Sequence, residues 1–136
     1  LLSNSKNSSS NKVQARAIIK DIAVINDDPL LVLSGCVKAT QELLKKTQLT
    51  VNDVDLFEIH EAFASTIIFA QRKLKIPEEK LNVNGGCIAL GHPMGATGSI
   101  MLSSLIDEME RQHLKTGIVA TSGAAGAGTA LLIERL

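Results

Sequence analysis

The sequence predicts an α/β domain, a mixed sheet with helices packed against it. Three observations carry the prediction. Runs with strand character at 13–26, 54–59, 117–121 and 129–134 are separated by runs of helical period at 35–48, 62–74 and from Pro93 onward. Their order, β-α-β-α-glycine loop-α-β-β, is that of a sheet whose helices lie on its faces. Tryptophan and tyrosine are absent and only three phenylalanines occur, so the core is aliphatic, which suits helices on a sheet. At 136 residues the chain is one domain, long enough to bury a real core.

Residues 1–12 are rich in serine, asparagine and lysine and are expected to be a mobile leader or linker from a preceding domain. Asn7-Ser8-Ser9 matches a glycosylation sequon. The run from Val13 alternates through Ala15, Ala17 and Ile19, turns apolar at Ile22 to Ile25, and stops at Asn26-Asp27-Asp28-Pro29, the pattern of a long strand ended by a turn. From 35 to 48, Val37, Thr40, Leu43 and Leu44 share one helical face while Lys38, Glu42, Lys45 and Lys46 take the other. Thr50 to Asp53 fits a capping box. Val54 to Ile59 is a short strand with His60 and Glu61 at its carboxyl end.

The helix at 62–74 leaves hardly any polar face before Gln71, and the helix from Pro93 repeats that character through Ile100, Met101, Leu102, Leu105, Ile106 and Met109. Helices apolar nearly all round need burial on two sides. A domain this small cannot supply it, so a further domain or subunit is expected to cover them. Strand 117–121, a glycine-alanine turn and strand 129–134 close the chain.

Charge excludes some classes. Fourteen basic residues balance fourteen acidic ones, so neither nucleic acid nor an anionic membrane is indicated as a partner. No apolar run reaches membrane length. Cys36 and Cys87 fit no metal or disulfide spacing, which points to a reducing, cytoplasmic compartment, with an organelle address still open on an upstream segment.

Three stretches could carry chemistry. His60-Glu61 resembles the start of HExxH, but Ala64 stands where the second histidine must fall, so the zinc reading fails and no metal ligand is assigned. The pair is either a helix cap with a satisfied histidine or two site residues. The second stretch, 82–98, places His92 among Gly85, Gly86, Gly91, Gly95 and Gly98. It is either a tight glycine turn with an incidental histidine or an imidazole held at a helix N-terminus by the following proline. The third, 121–128, hints at GxGxxG read backwards. It lies between two strands, so dinucleotide binding is not expected; exposed amides for an oxyanion hole and a plain tight hairpin both fit.

In this order and spacing, His-Glu-Ala-Phe-Ala at 60–64, Asn-Val-Asn-Gly-Gly-x-Ile-Ala-Leu-Gly-His-Pro-x-Gly-Ala-Thr-Gly at 82–98 and the closing glycine-rich hairpin resemble the carboxyl-terminal domain of thiolases. The resemblance spans nearly the whole chain and assigns 13–136 to that domain. His60 makes it most similar to the 3-ketoacyl-CoA thiolases of fatty-acid oxidation.

The resemblance implies a thiolase-like half with a mixed five-stranded sheet and helices on both faces. It implies acyl transfer between 3-ketoacyl-CoA or acetyl-CoA and coenzyme A, through a thioester on a cysteine of the amino-terminal domain, which this chain lacks. Coenzyme A would be a substrate, no cofactor would be bound, and cofactor-binding residues are not identified here. His92 would activate the cysteine, since thiolate attacks and a nearby imidazole makes it available. His60 would help hold the thioester oxygen, often through water, and amides around Gly123 and Ala124 would form a second oxyanion hole. The family's second catalytic cysteine falls on Ser122, a much weaker acid. A non-catalytic or thioester-hydrolysing homologue is therefore the alternative to a full acyltransferase. A homodimer or homotetramer is implied.

Overall fold

The computed structural model describes residues 2–4 and 14–136. The leader assigned to 1–12 falls almost wholly outside the described residues, as do the sequon and the strand start at Val13.

Four strands form one mixed sheet: β1 (Ala17–Asn26), β2 (Leu56–Ile59), β3 (Thr116–Ser122) and β4 (Ala127–Arg135). Their spatial order is β1-β4-β3-β2, with β1/β4 and β4/β3 antiparallel and β2/β3 parallel. The helices are α1 (Gly35–Thr47), α2 (Ala64–Leu74), the single turn α3 (Cys87–Leu90) and α4 (Thr97–Arg111).

Among the described residues the sheet has four strands, not the expected five. The place beside β2 where a fifth strand would pair is taken by Leu81 and Asn82. Leu81 forms an isolated parallel bridge with Phe57, and the Asn82 amide N–H donates to Phe57 O at 2.9 Å. The Asn82 side chain then acts as a one-residue neighbour: Ile59 N–H donates to its Oδ1 at 2.8 Å and its Nδ2 donates to Ile59 O at 2.9 Å. With φ at 45°, Asn82 turns the chain away before a ladder can form. Asparagine tolerates that left-handed conformation better than most residues.

Helices do lie on both faces. On one, Cys36, Val37, Ala39, Leu43 and Leu44 of α1 and Ala70 and Leu74 of α2 pack on Phe57, Ile59, Ile118, Ala120, Ala130 and Leu132. On the other, Met101, Leu105 and Met109 of α4 cover Leu56, Val119 and Ile133. A bulge at Lys20, between the pairs Ile19↔Ile133 and Asp21↔Leu132, lets β1 serve both layers, as an inserted residue reverses the alternation. Ala17 and Ile19 join the α4 layer while Ala23 and Ile25 join the α1 layer.

Two backbones meet closely at the start of α1. A Cβ on Gly35 would lie 2.2 Å from Ala127 O, and one on Gly128 2.1 Å from Gly35 O. The capping box is present, with Thr50 N–H and Oγ1 both donating to Asp53 Oδ2.

Two helix starts differ from expectation. α2 begins at Ala64, and α4 begins at Thr97 rather than Pro93. Pro93 O accepts from Ala96 and Thr97 N–H, but Gly95 has φ 86° and breaks the helix. The all-round apolar helix at 62–74 is buried only through Thr66, Ala70 and Leu74; Phe63, Ile68 and Phe69 remain exposed, as do Ile88, Leu90 and Met94.

Candidate active site

β2 ends at Ile59, and His60 N–H continues the parallel pairing by donating to Ala120 O at 2.9 Å. This seats the His60 side chain at the carboxyl end of the two parallel strands. It is 5% exposed, and its Nε2 has no hydrogen-bond partner. Burial pushes the imidazole below its ordinary pKa and the neighbouring His92 adds to this, against a hydrogen bond to the Ser122 backbone and the charge of Glu61. Burial thus favours the neutral imidazole, and one of its nitrogens is unsatisfied. A satisfied structural histidine does not describe it.

Glu61 caps a helix, but α3 rather than the helix that follows it in sequence. Its Oε2 accepts from Ile88 N–H at 3.0 Å, in the first turn of α3, and its Oε1 accepts from Asn82 Nδ2 at 2.9 Å. The carboxylate fills the space beside Gly86, where a Cβ would come within 2.4–2.7 Å of its atoms. Asn82, Glu61 and Gly86 together fasten the glycine loop to the end of β2.

His92 follows from that fastening. The loop leaves α3 through Gly91, whose φ is 86°, and brings the His92 ring to 4.4 Å from His60, centroid to centroid, at 42°. His92 Nδ1 lies 2.8 Å from Thr97 Oγ1 in the first turn of α4. The two histidines, Thr97, Thr121, Ser122 and Leu131 line an open cleft of about 450 Å³.

Ser122, the last residue of β3, also faces the start of α1. Its Oγ donates to Leu33 O at 2.9 Å and accepts from the Cys36 amide at 2.8 Å. Ser34, the residue before α1, makes no capping bond through its side chain, so Ser122 supplies the cap from across the sheet. Gly123 N–H donates to Ala127 O at 2.7 Å within the hairpin, whereas the Ala124 amide makes no backbone hydrogen bond among the described residues. Ala125 closes the turn with φ 56°.

Sequence reasoning singled out His60, His92 and Ser122, and all three line the one cleft. It did not single out Asn82 and Thr97, which hold the loop and the His92 ring, nor, beneath the loop, the buried Glu58. Glu58 is 4% exposed; burial first, then the charges of Glu61 and Glu108, raise its pKa to about 8. It is the inward-pointing polar residue of a four-residue strand whose every position is buried, a signal visible in sequence only as a charge inside an apolar run. Glu108, by contrast, is held at about 2 by Arg111, Gln112 and Asn84.

The fold is that of an α/β domain in which two histidines, His60 and His92, meet at the carboxyl ends of the parallel strands. The comparisons are more specific. Residues 13–135 match the family model "Thiolase, C-terminal domain", so the chain belongs to the thiolase family. It is 42% identical over 123 residues to a 3-ketoacyl-CoA thiolase of Aliivibrio salmonicida (strain LFI1238), covering 88% of this chain and 32% of that protein. Over 119 residues it is 43% identical to an acetyl-CoA acetyltransferase of Chromobacterium violaceum, covering 88% and 30%. Peroxisomal 3-ketoacyl-CoA thiolase 1 of Arabidopsis thaliana is 40% identical over 120 residues, covering 87% and 27%. The crystal structure of the Bacillus anthracis acetyl-CoA acetyltransferase superposes with a TM-score of 0.91 at 36% identity, covering 97% of this chain and 34% of that one. The chain spans about a third of the length of the curated relatives it matches. Among the described residues, no helix is long and apolar enough to cross a membrane.

Proposed function

We propose that this chain supplies the base-bearing half of the active site of a thiolase-type acyltransferase acting on 3-ketoacyl-CoA and acetyl-CoA in fatty-acid metabolism. The observation that carries the proposal is the His60–His92 pair, 4.4 Å apart at the mouth of an open cleft. His92 takes the proton of a cysteine thiol on an amino-terminal domain, and the thiolate attacks the 3-keto carbonyl. Breaking the carbon–carbon bond leaves an acyl thioester on the cysteine and an acetyl-CoA enolate, which takes its α-carbon proton from the Ser122 position. The coenzyme A thiol returns a proton there and takes the acyl group, and the freed cysteine thiolate recovers its proton from His92. His60, neutral and with a free nitrogen, holds the thioester oxygen through water, and Ala124 offers the freer of the two hairpin amides to developing charge.

Coenzyme A is substrate, no cofactor is required, and an amino-terminal domain covers the apolar residues beside the cleft. The assembly is a homodimer or homotetramer. The proposed location is cytoplasmic; the competing arrangement is an organelle address outside this chain, to which the peroxisomal names of two plant relatives speak.

One observation favours a second reading. The Ser122 hydroxyl gives its proton to Leu33 O and accepts from Cys36 N–H, and a serine is a far weaker acid than the thiol the family carries there. A thioester-hydrolysing or non-catalytic homologue needs nothing more from this position. The test is mass spectrometry of the protein carrying this chain after exposure to acyl-CoA. An acyl adduct that His92→Ala abolishes, followed by transfer to coenzyme A, supports the acyltransferase. Release only as free acid supports hydrolysis, and no adduct in the unaltered protein overturns both enzymatic readings.

A further inference from the structure

A hydroxyl has one proton to give, and Thr97 Oγ1 has two neighbours. It lies 3.2 Å from Pro93 O, four residues back, and 2.8 Å from His92 Nδ1. Only one proton arrangement makes both contacts hydrogen bonds: the hydroxyl donates to Pro93 O and accepts from His92 Nδ1–H. The reverse arrangement spends the proton on Nδ1 and leaves the 3.2 Å contact between two acceptors. Pro93 O also receives Ala96 and Thr97 N–H, so the carbonyl is a fixed point of the α4 start.

Thr97 is suited to this. It is 4% exposed, so water competes little for Oγ1, while the histidine it touches is exposed. A β-branched side chain at a helix start has few rotamers, and back-bonding to the carbonyl four residues earlier is a normal threonine geometry. His60, the other group against the His92 ring, has its own Nε2 unpartnered and supplies no competing hydrogen bond to Nδ1.

We propose that Thr97 is a positioning residue that fixes His92 in the Nδ1–H tautomer and leaves Nε2 as the nitrogen able to take a proton. This rests on the reading of His92 as the base. It adds which nitrogen acts and what decides it, since the partner of one ring nitrogen sets the state of the other.

The test is ¹⁵N NMR of the histidine-labelled protein carrying this chain, above the imidazole titration, with the His92 signals assigned by their loss in His92→Gln. The unaltered protein and Thr97→Ser show the Nδ1–H tautomer. Thr97→Val, which keeps the shape and removes the oxygen, shifts the tautomer ratio about tenfold toward Nε2–H, the effect of one ordinary neutral hydrogen bond. An Nε2–H tautomer in the unaltered protein overturns the proposal, as does an unchanged ratio in Thr97→Val with near-ultraviolet circular dichroism intact. Should Thr97→Val fail to fold, the unaltered protein and Thr97→Ser decide alone. No turnover is needed, so failure here is separate from failure of the acyltransferase reading, which falls if His92→Ala still acylates.

Discussion

Replacing Ser122 by alanine removes two hydrogen bonds at once and strands both partners. The Cys36 amide is a first-turn N–H of α1 with no intrahelical acceptor, in a residue with no exposed surface. Losing a helix cap costs about 0.5–2 kcal/mol. Leaving Leu33 O with only the long 3.8 Å contact of the Cys36 thiol adds part of the roughly 1–3 kcal/mol penalty of a buried unsatisfied group. Together Ser122→Ala should destabilise the domain by about 1–4 kcal/mol. Urea denaturation followed by circular dichroism measures the total, and hydrogen exchange at the Cys36 amide reports the cap locally. Ser122→Cys keeps a weaker donor and acceptor and should fall between the two. If the position also handles the α-carbon proton, that variant gains thiolysis while losing stability, so the two properties move in opposite directions. Ser122→Ala within 0.5 kcal/mol of the unaltered protein, with Cys36 exchange unchanged, would refute the capping argument.

Two further outcomes follow from the glycine loop and its floor. Glu58 carries its proton to about pH 8 in the fold but only to about 4.3 unfolded, so between those values the folded state binds more protons. Stability therefore falls as pH rises through that window, by at most about 1.4 kcal/mol per pH unit, and Glu58→Gln should flatten the slope; denaturation midpoints from pH 5 to 8 that slope equally in both proteins would refute this. Gly86→Ala places a Cβ in the Glu61 carboxylate and forces it off Asn82 and Ile88. The expectation is about 1–2 kcal/mol of lost stability and, because the loop carries His92, a fall in kcat of tenfold or more; melting and steady-state kinetics unchanged together would sink it.

What could be read from the sequence was set by range. The four strands and three long helices follow from local periodicity, and the capping box at Thr50 from residues three apart. His60 and His92 lie in stretches of unusual composition, whereas Ser122 was singled out only through the resemblance to thiolases. The bridge from Glu61 to Ile88, the cap that Ser122 gives Cys36 across 86 positions and the Asn82 amide against Ile59 leave no local trace, since each joins a residue to a distant backbone. The expected fifth strand came from resemblance alone; the residues after β2 hold no further strand run. The apolar surface of α2 was legible as composition, while what covers it was not, because Phe63, Ile68 and Phe69 remain exposed among the described residues.

The missing strand also explains why the site exists where it does. A paired fifth strand beside β2 would satisfy the edge of Ile59 with backbone and carry the following chain along the sheet. Asn82 satisfies the same two groups with one side-chain amide and, in a left-handed conformation, releases the chain across the carboxyl ends of β2 and β3. Gly85 and Gly86 continue that turn, Glu61 fastens it, and His92 arrives beside His60 rather than at the far edge of the sheet. An edge closed by a side chain ends the sheet and turns the loop in a single residue. The contacts of the Asn82 amide therefore reach beyond the sheet edge, because the spacing of the two histidines depends on where the sheet stops.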